Sequence, residues 1–134
     1  MRYQNVARLL FALAFFVGAV ANTVMLLASP DIYVGFADLS FFRFYRSLWR
    51  NLVVPRLGIW VTLVIVFEIA LGVLLLAPDP CAHLGLILAA AFALFLVPFW
   101  WGGGALINVV LLALLIWLLR FDYPEGVLSI LFGA

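Results

Sequence analysis

Three polar side chains sit where polar side chains are costly. Glu68 carries the only charge in the run Leu57–Ala77 (LGIWVTLVIVFEIALGVLLLA), while Asn22 and Asn108 lie in the first and last apolar stretches. A carboxyl between two carboxamides can exchange hydrogen bonds, hold a proton, or bond a small carbonyl ligand. An acid at the centre of a membrane helix costs about 2.5–3.5 kcal/mol on insertion scales, so such a group is expected to face protein rather than lipid. Each of the three has a glycine one helical turn away: Gly18 with Asn22, Gly72 with Glu68, Gly104 with Asn108. Glycine removes bulk, letting backbones approach and an amide reach across. The expected site is therefore a bundle-centre network of Glu68, Asn22 and Asn108. It is either a structural linker between helices or a place that binds, or relays a proton to, a quinone-like or other lipophilic ligand. Arg8 and His83 fall at the opposite end and are not expected to touch Glu68.

Other chemistry is excluded by count. His83 is the only histidine, too few for paired haem ligands or a zinc cluster. Cys81 is the only cysteine, so neither an intrachain disulfide nor a C-x-x-C pair can form, and it is expected to be buried or interfacial. No nucleophile–base pair, metal set or phosphate loop is present, which points away from an enzyme; no metal and no cofactor is expected beyond the quinone alternative. Seven arginines against six acids, with a net charge of +1, leave no basic surface for nucleic acid.

The elements that must position the polar residues are helices. The chain of 134 residues is 69% hydrophobic and 10% charged, against about 25% charged in soluble domains. The pattern predicts an all-α polytopic membrane protein, one domain over 1–134. It is an antiparallel four-transmembrane-helix bundle with an amphipathic interfacial helix between helices 1 and 2. Spans are expected at about 6–28, 57–77, 81–100 and 104–120. The step-of-four ridges Ala14, Gly18, Asn22 and Gly85, Ala89, Ala93 suit close packing. Trp100-Trp101 marks an interface belt and Gly102-Gly103-Gly104 a turn.

Between the first two spans, 39–54 reads as the interfacial helix. At 100° per residue Phe41, Phe42, Phe44, Tyr45, Leu48, Trp49 and Leu52 share one side and Arg43, Arg46 and Arg50 the other. Asp38 or Ser40 is expected to cap it and Pro55 to stop it. The arginines form either the solvated face of a lid or a contact for anionic lipid, an anionic substrate or a partner subunit. The tail 121–134 is too short to cross again and is expected to lie at the interface or dock a subunit. Arg2, Arg8 and Arg120 on the face of the termini, against Arg43, Arg46, Arg50 and Arg56 on the other, leave the positive-inside rule undecided.

The four-span layout, Arg8 in the first helix, the string Phe67-Glu68-Ile69-Ala70-Leu71-Gly72-Val73-Leu74-Leu75 and the small-residue third helix resemble the DoxX and DoxX-like membrane proteins. The resemblance covers most of the chain. It implies a four-helix bundle in the bacterial inner membrane with cytoplasmic termini, often working beside a redox partner; some members are subunits of thiosulfate:quinone oxidoreductases. The long aromatic and arginine loop and the single cysteine depart from that pattern and speak against sulfur-handling thiol chemistry. The expected function is a non-catalytic accessory or structural subunit of a larger, redox-type membrane complex. The alternatives are a quinone-binding oxidoreductase component using Glu68, and a small transporter. Expected partners are membrane lipids and either other membrane subunits or further copies of the chain.

Overall fold

The computed structural model describes residues 1–99 and 103–133, with side-chain surroundings described for 1–98 and 105–133. Seven α-helices and no strand occur among the described residues: α1 Tyr3–Ala28, α2 Asp31–Gly35, α3 Arg43–Leu48, α4 Leu57–Leu76, α5 Cys81–Leu96, α6 Gly103–Leu118 and α7 Val127–Phe132. Two apolar helical runs, Tyr3–Ala28 and Arg43–Leu76, are long enough to cross a membrane. α5 and α6 have 16 residues each, about 24 Å of helix.

α1 packs along α4, α4 along α5 and α5 along α6. The core where they meet is small and apolar: Ala12, Leu71, Leu75, Ala82, Leu86, Ala89, Ala93, Leu115 and Leu118, closed at one end by Tyr123. Small residues let the backbones approach. A Cβ on Gly72 would lie 2.6 Å from the Phe16 ring, and one on Gly85 would lie 2.9 Å from Leu74 Cβ and 3.2 Å from the Leu75 nitrogen. The α5 ridge of Gly85, Ala89 and Ala93 is buried throughout. In α1 the inward face differs from the expected ridge. Gln4, Arg8, Ala12 and Ala19 are buried, whereas Ala14 is exposed. Ala14 lies about 200° round the helix from Ala12, so the two cannot share a face.

The segment after α1 departs from a single interfacial helix. α2 and the 3-10 turn Phe36–Leu39 come first, and Ser40 breaks the chain with extended backbone. α3, a π turn at Trp49–Val53 and a 3-10 turn at Val54–Arg56 then lead directly into α4. Pro55 does not stop the helix. It sits in the first turn of the 3-10 segment, where its missing N–H costs no hydrogen bond. Neither expected residue caps α3, whose N-cap position is Phe42. The Ser40 hydroxyl accepts from the Phe42 N–H at 3.3 Å, and the Asp38 carboxylate pairs with Arg50. At the far end of α5, the 3-10 turn Val97–Phe99 contains Pro98, whose carbonyl accepts from the Phe41 N–H at 3.1 Å.

Trp100, Trp101 and Gly102 lie outside the described residues, as do the packing surroundings of Gly104. α6 begins at Gly103, so Gly103 and Gly104 are helical. Cys81 is exposed at the start of α5 rather than buried. The tail folds back onto its own chain. Val127 is buried, and Gly126 comes so close to α4 that a Cβ there would lie 3.1 Å from the Leu76 carbonyl oxygen.

Candidate functional site

Two buried polar layers cross the molecule, roughly 20 Å apart along α1 at 1.5 Å per residue. The first is centred on Glu68, which is only 6% exposed. The Asn22 amide donates to Glu68 Oε2 at 3.0 Å. Gly18 makes the room: a Cβ there would sit 2.9 Å from Glu68 Oε1. The remaining side of the Asn22 amide is also used. The Tyr33 hydroxyl donates to Asn22 Oδ1 at 2.7 Å and approaches the Asn22 carbonyl at 3.1 Å. The Trp49 indole N–H in turn donates to the Tyr33 carbonyl at 2.7 Å. One chain of donors and acceptors thus runs from the π turn through α2 and α1 to α4. Tyr33 is buried, and Phe36 packs between its ring and that of Trp49, at 5.4 and 6.1 Å. Burial, with the Glu68 carboxyl nearby, pushes the Tyr33 phenol above its ordinary value.

Of the three residues expected to form the network, the structure joins Asn22 and Glu68. Asn108 is buried on the inward stripe of α6 with Leu115 and Leu118. Thr23 and Thr62 bond the carbonyls of Ala19 and Gly58 on their own helices. Trp49 is legible only as part of the apolar face of the expected interfacial helix, and Tyr33 is not singled out by the sequence. Their polar atoms find partners because α2 turns the chain back over the end of α1.

The second layer surrounds Arg8, fully buried at the end of the molecule where α4 and α6 finish. A helix leaves its last carbonyls without intrahelical donors. Arg8 supplies them for α4, donating from Nε to the Leu75 carbonyl at 2.9 Å and from Nη2 to Ala77 at 3.2 Å, with a longer contact to the Glu125 carbonyl. A cation at a helix C-terminus also suits the macrodipole. The guanidinium lies over the Tyr123 ring at 4.3 Å. Tyr123 and His83 do the same service for α6: the phenol donates to the Leu118 carbonyl at 2.6 Å, and His83 Nε2 faces that of Leu119 at 3.3 Å.

Asp79 binds this end together. Its Oδ1 lies 2.5 Å from His83 Nδ1 and its Oδ2 accepts from the Tyr123 N–H at 2.6 Å, while its own N–H donates to the Tyr123 carbonyl at 2.8 Å. Burial alone would raise the Asp79 carboxyl, but the bonds from His83 and the Tyr123 N–H bring it below its ordinary value. The Tyr123 phenol is pushed up to about 12 by burial, against the opposing pull of Arg8. By sequence Arg8 counts with the arginines at the face of the termini; its place inside an apolar run is the signal of an interior role, and its partners come from chain positions 67 to 117 residues away.

Among the described residues no three His, Cys, Asp or Glu side chains gather in a way that could hold a metal ion. No family model, curated protein or solved structure matches the chain.

Proposed function

We propose that this chain is a small multi-pass membrane protein, a four-helix transmembrane bundle of the DoxX-like kind. In this reading it serves as a non-catalytic accessory subunit of a larger membrane complex in the bacterial inner membrane. The observation that carries the reading is which way the apolar side chains face. In the most apolar windows of Tyr3–Ala28 and Arg43–Leu76 only 11% and 28% of residues are buried. The core helix of a water-soluble protein would bury most of such a window. Here Val17 is 66% exposed, Leu27 80% and Leu106 66%, while Arg8, Glu68 and Asn108 are turned inward. Apolar outside and polar inside is the arrangement a hydrocarbon solvent selects. The shorter α5 and α6 fit a core of about 30 Å through local thinning and their flanking 3-10 turn.

The accessory reading is supported by the closed state of the Glu68 layer. Asn22 already uses both its amide donor and its acceptor within the protein, so the layer reads as a clamp between helices. An alkaline wash of membranes should leave the chain in the pellet; release into the supernatant overturns the membrane reading. Purification in mild detergent with mass spectrometry should then find co-eluting membrane subunits. A stoichiometric quinone without protein partners would replace the accessory reading with the ligand-binding one.

A further inference from the structure

The Glu68 and Arg8 layers leave one charged feature unused. Arg43, Arg46 and Arg50, at intervals of three and four, fall on one face of α3 and the π turn that follows. Together with Ser47 and Asn51 they line an open surface cavity of about 470 Å³, all of its lining contributed by this one helical stretch. On this exposed face the Asn51 amide donates to the Ser47 hydroxyl at 3.1 Å. Arg50 is engaged by Asp38. Arg43 and Arg46 have no ion pair among the described residues.

The surroundings fix the direction in which this cavity looks. Tyr45 stacks edge-on against Phe95 of α5 at 6.2 Å, and Trp49 is tied to Tyr33. These two contacts hold the other side of the helix against the bundle. Phe41, Phe42 and Phe44 stand out beside them, with Phe44 71% exposed. Exposed phenylalanines flanking an arginine face are suited to the boundary between acyl chains and headgroups. Resting on the membrane reading above, we propose that the Arg43–Arg46–Arg50 cavity is a binding site for the phosphate of an anionic phospholipid. Arg43 and Arg46 donate to the phosphodiester oxygens, and Phe41, Phe42 and Phe44 lie against the acyl chains of the same leaflet. Guanidinium groups suit this task because their paired N–H donors match two phosphate oxygens at once. Arg50, paired with Asp38, stands at the exposed edge of the same face.

The test compares phosphatidylglycerol with phosphatidylcholine, offered in equal amounts to the detergent-purified protein, reading the lipid retained by native mass spectrometry. The wild type should retain phosphatidylglycerol in preference. The preference should fall roughly fivefold in R43Q and roughly thirtyfold in R43Q/R46Q, at the usual contribution of an arginine near an anionic surface. The same charge change at the other end, R2Q/R120Q, should leave it within about twofold. R43K/R46K, which keeps both charges but loses the paired donors, should fall between wild type and R43Q/R46Q and serves if the double glutamine variant unfolds. A wild-type ratio in R43Q and R43Q/R46Q overturns the proposal, as does an equal loss in R2Q/R120Q. Displacement of phosphatidylglycerol by excess inorganic phosphate alone overturns it in favour of a soluble anion. All variants should stay in the membrane through an alkaline wash; their release would instead strike at the membrane reading.

Discussion

Glu68 is held by one amide and by the absence of one methyl group. A glutamine at 68 keeps an acceptor for the Asn22 amide and the same length, so Glu68→Gln should unfold in detergent within about 1 kcal/mol of the wild type. Leucine leaves the Asn22 donor buried and unpaired, a loss of about 1–3 kcal/mol. Thermal unfolding of the two variants side by side checks this; equal losses would remove Asn22 from the account. Gly72 makes a sharper case. Its Cβ would meet a rigid ring at 2.6 Å, whereas one on Gly35 meets nothing within 4 Å. Gly72→Ala should therefore lose about 1–3 kcal/mol from overpacking, and Gly35→Ala should change the same thermal midpoint little.

At the scale of elements, the ends of helices matter more than their middles. α4 finishes against Arg8, and α6 finishes against Tyr123 and His83. Arg8→Ala removes two close charged hydrogen bonds, worth about 1.5–3 kcal/mol each, and should abolish the monodisperse folded peak in size-exclusion chromatography. Arg8→Lys, with its single point of donation, should fall between alanine and wild type. The Asp79 turn adds a pH dependence. Because the folded carboxyl titrates below its ordinary value, its stabilisation is complete above about pH 4 and is lost as pH falls through the folded pKa. Asp79→Asn should thus be less stable than wild type at pH 7, with the gap closing in acid; thermal scans across that range would show it.

At the scale of the whole molecule, burial of Arg8 changes the charge balance between the two ends. With Arg8 assigned to the interior, Arg2 and Arg120 face Arg43, Arg46, Arg50 and Arg56. Within the proposed membrane reading, two against four would place the α2–α3 end in the cytoplasm, opposite to the orientation that the DoxX-like resemblance implies. Cys81, exposed at the opposite end and the single thiol, reports the answer. A membrane-impermeant maleimide should label it from outside intact cells; labelling only after permeabilisation would restore cytoplasmic termini.

The sequence by itself determined the helical class, the inward assignment of Glu68, Asn22 and Asn108, and the gathering of Arg43, Arg46 and Arg50 on one face of α3 and the turn that follows. Each follows from local period and from the cost of placing charge among apolar residues, both readable along a single stretch. Only the tertiary structure decided that Asn22 is shared between Glu68 and Tyr33, that Pro55 is passed rather than obeyed, and that the tail seals its own bundle. It alone made Arg8 the cap of a helix 67 residues further on. Hydrogen bonds between distant segments depend on how two helices are rotated and staggered. Small side chains such as Gly18, Gly72 and Gly85 set that stagger through contacts, and spacing along the chain does not encode it.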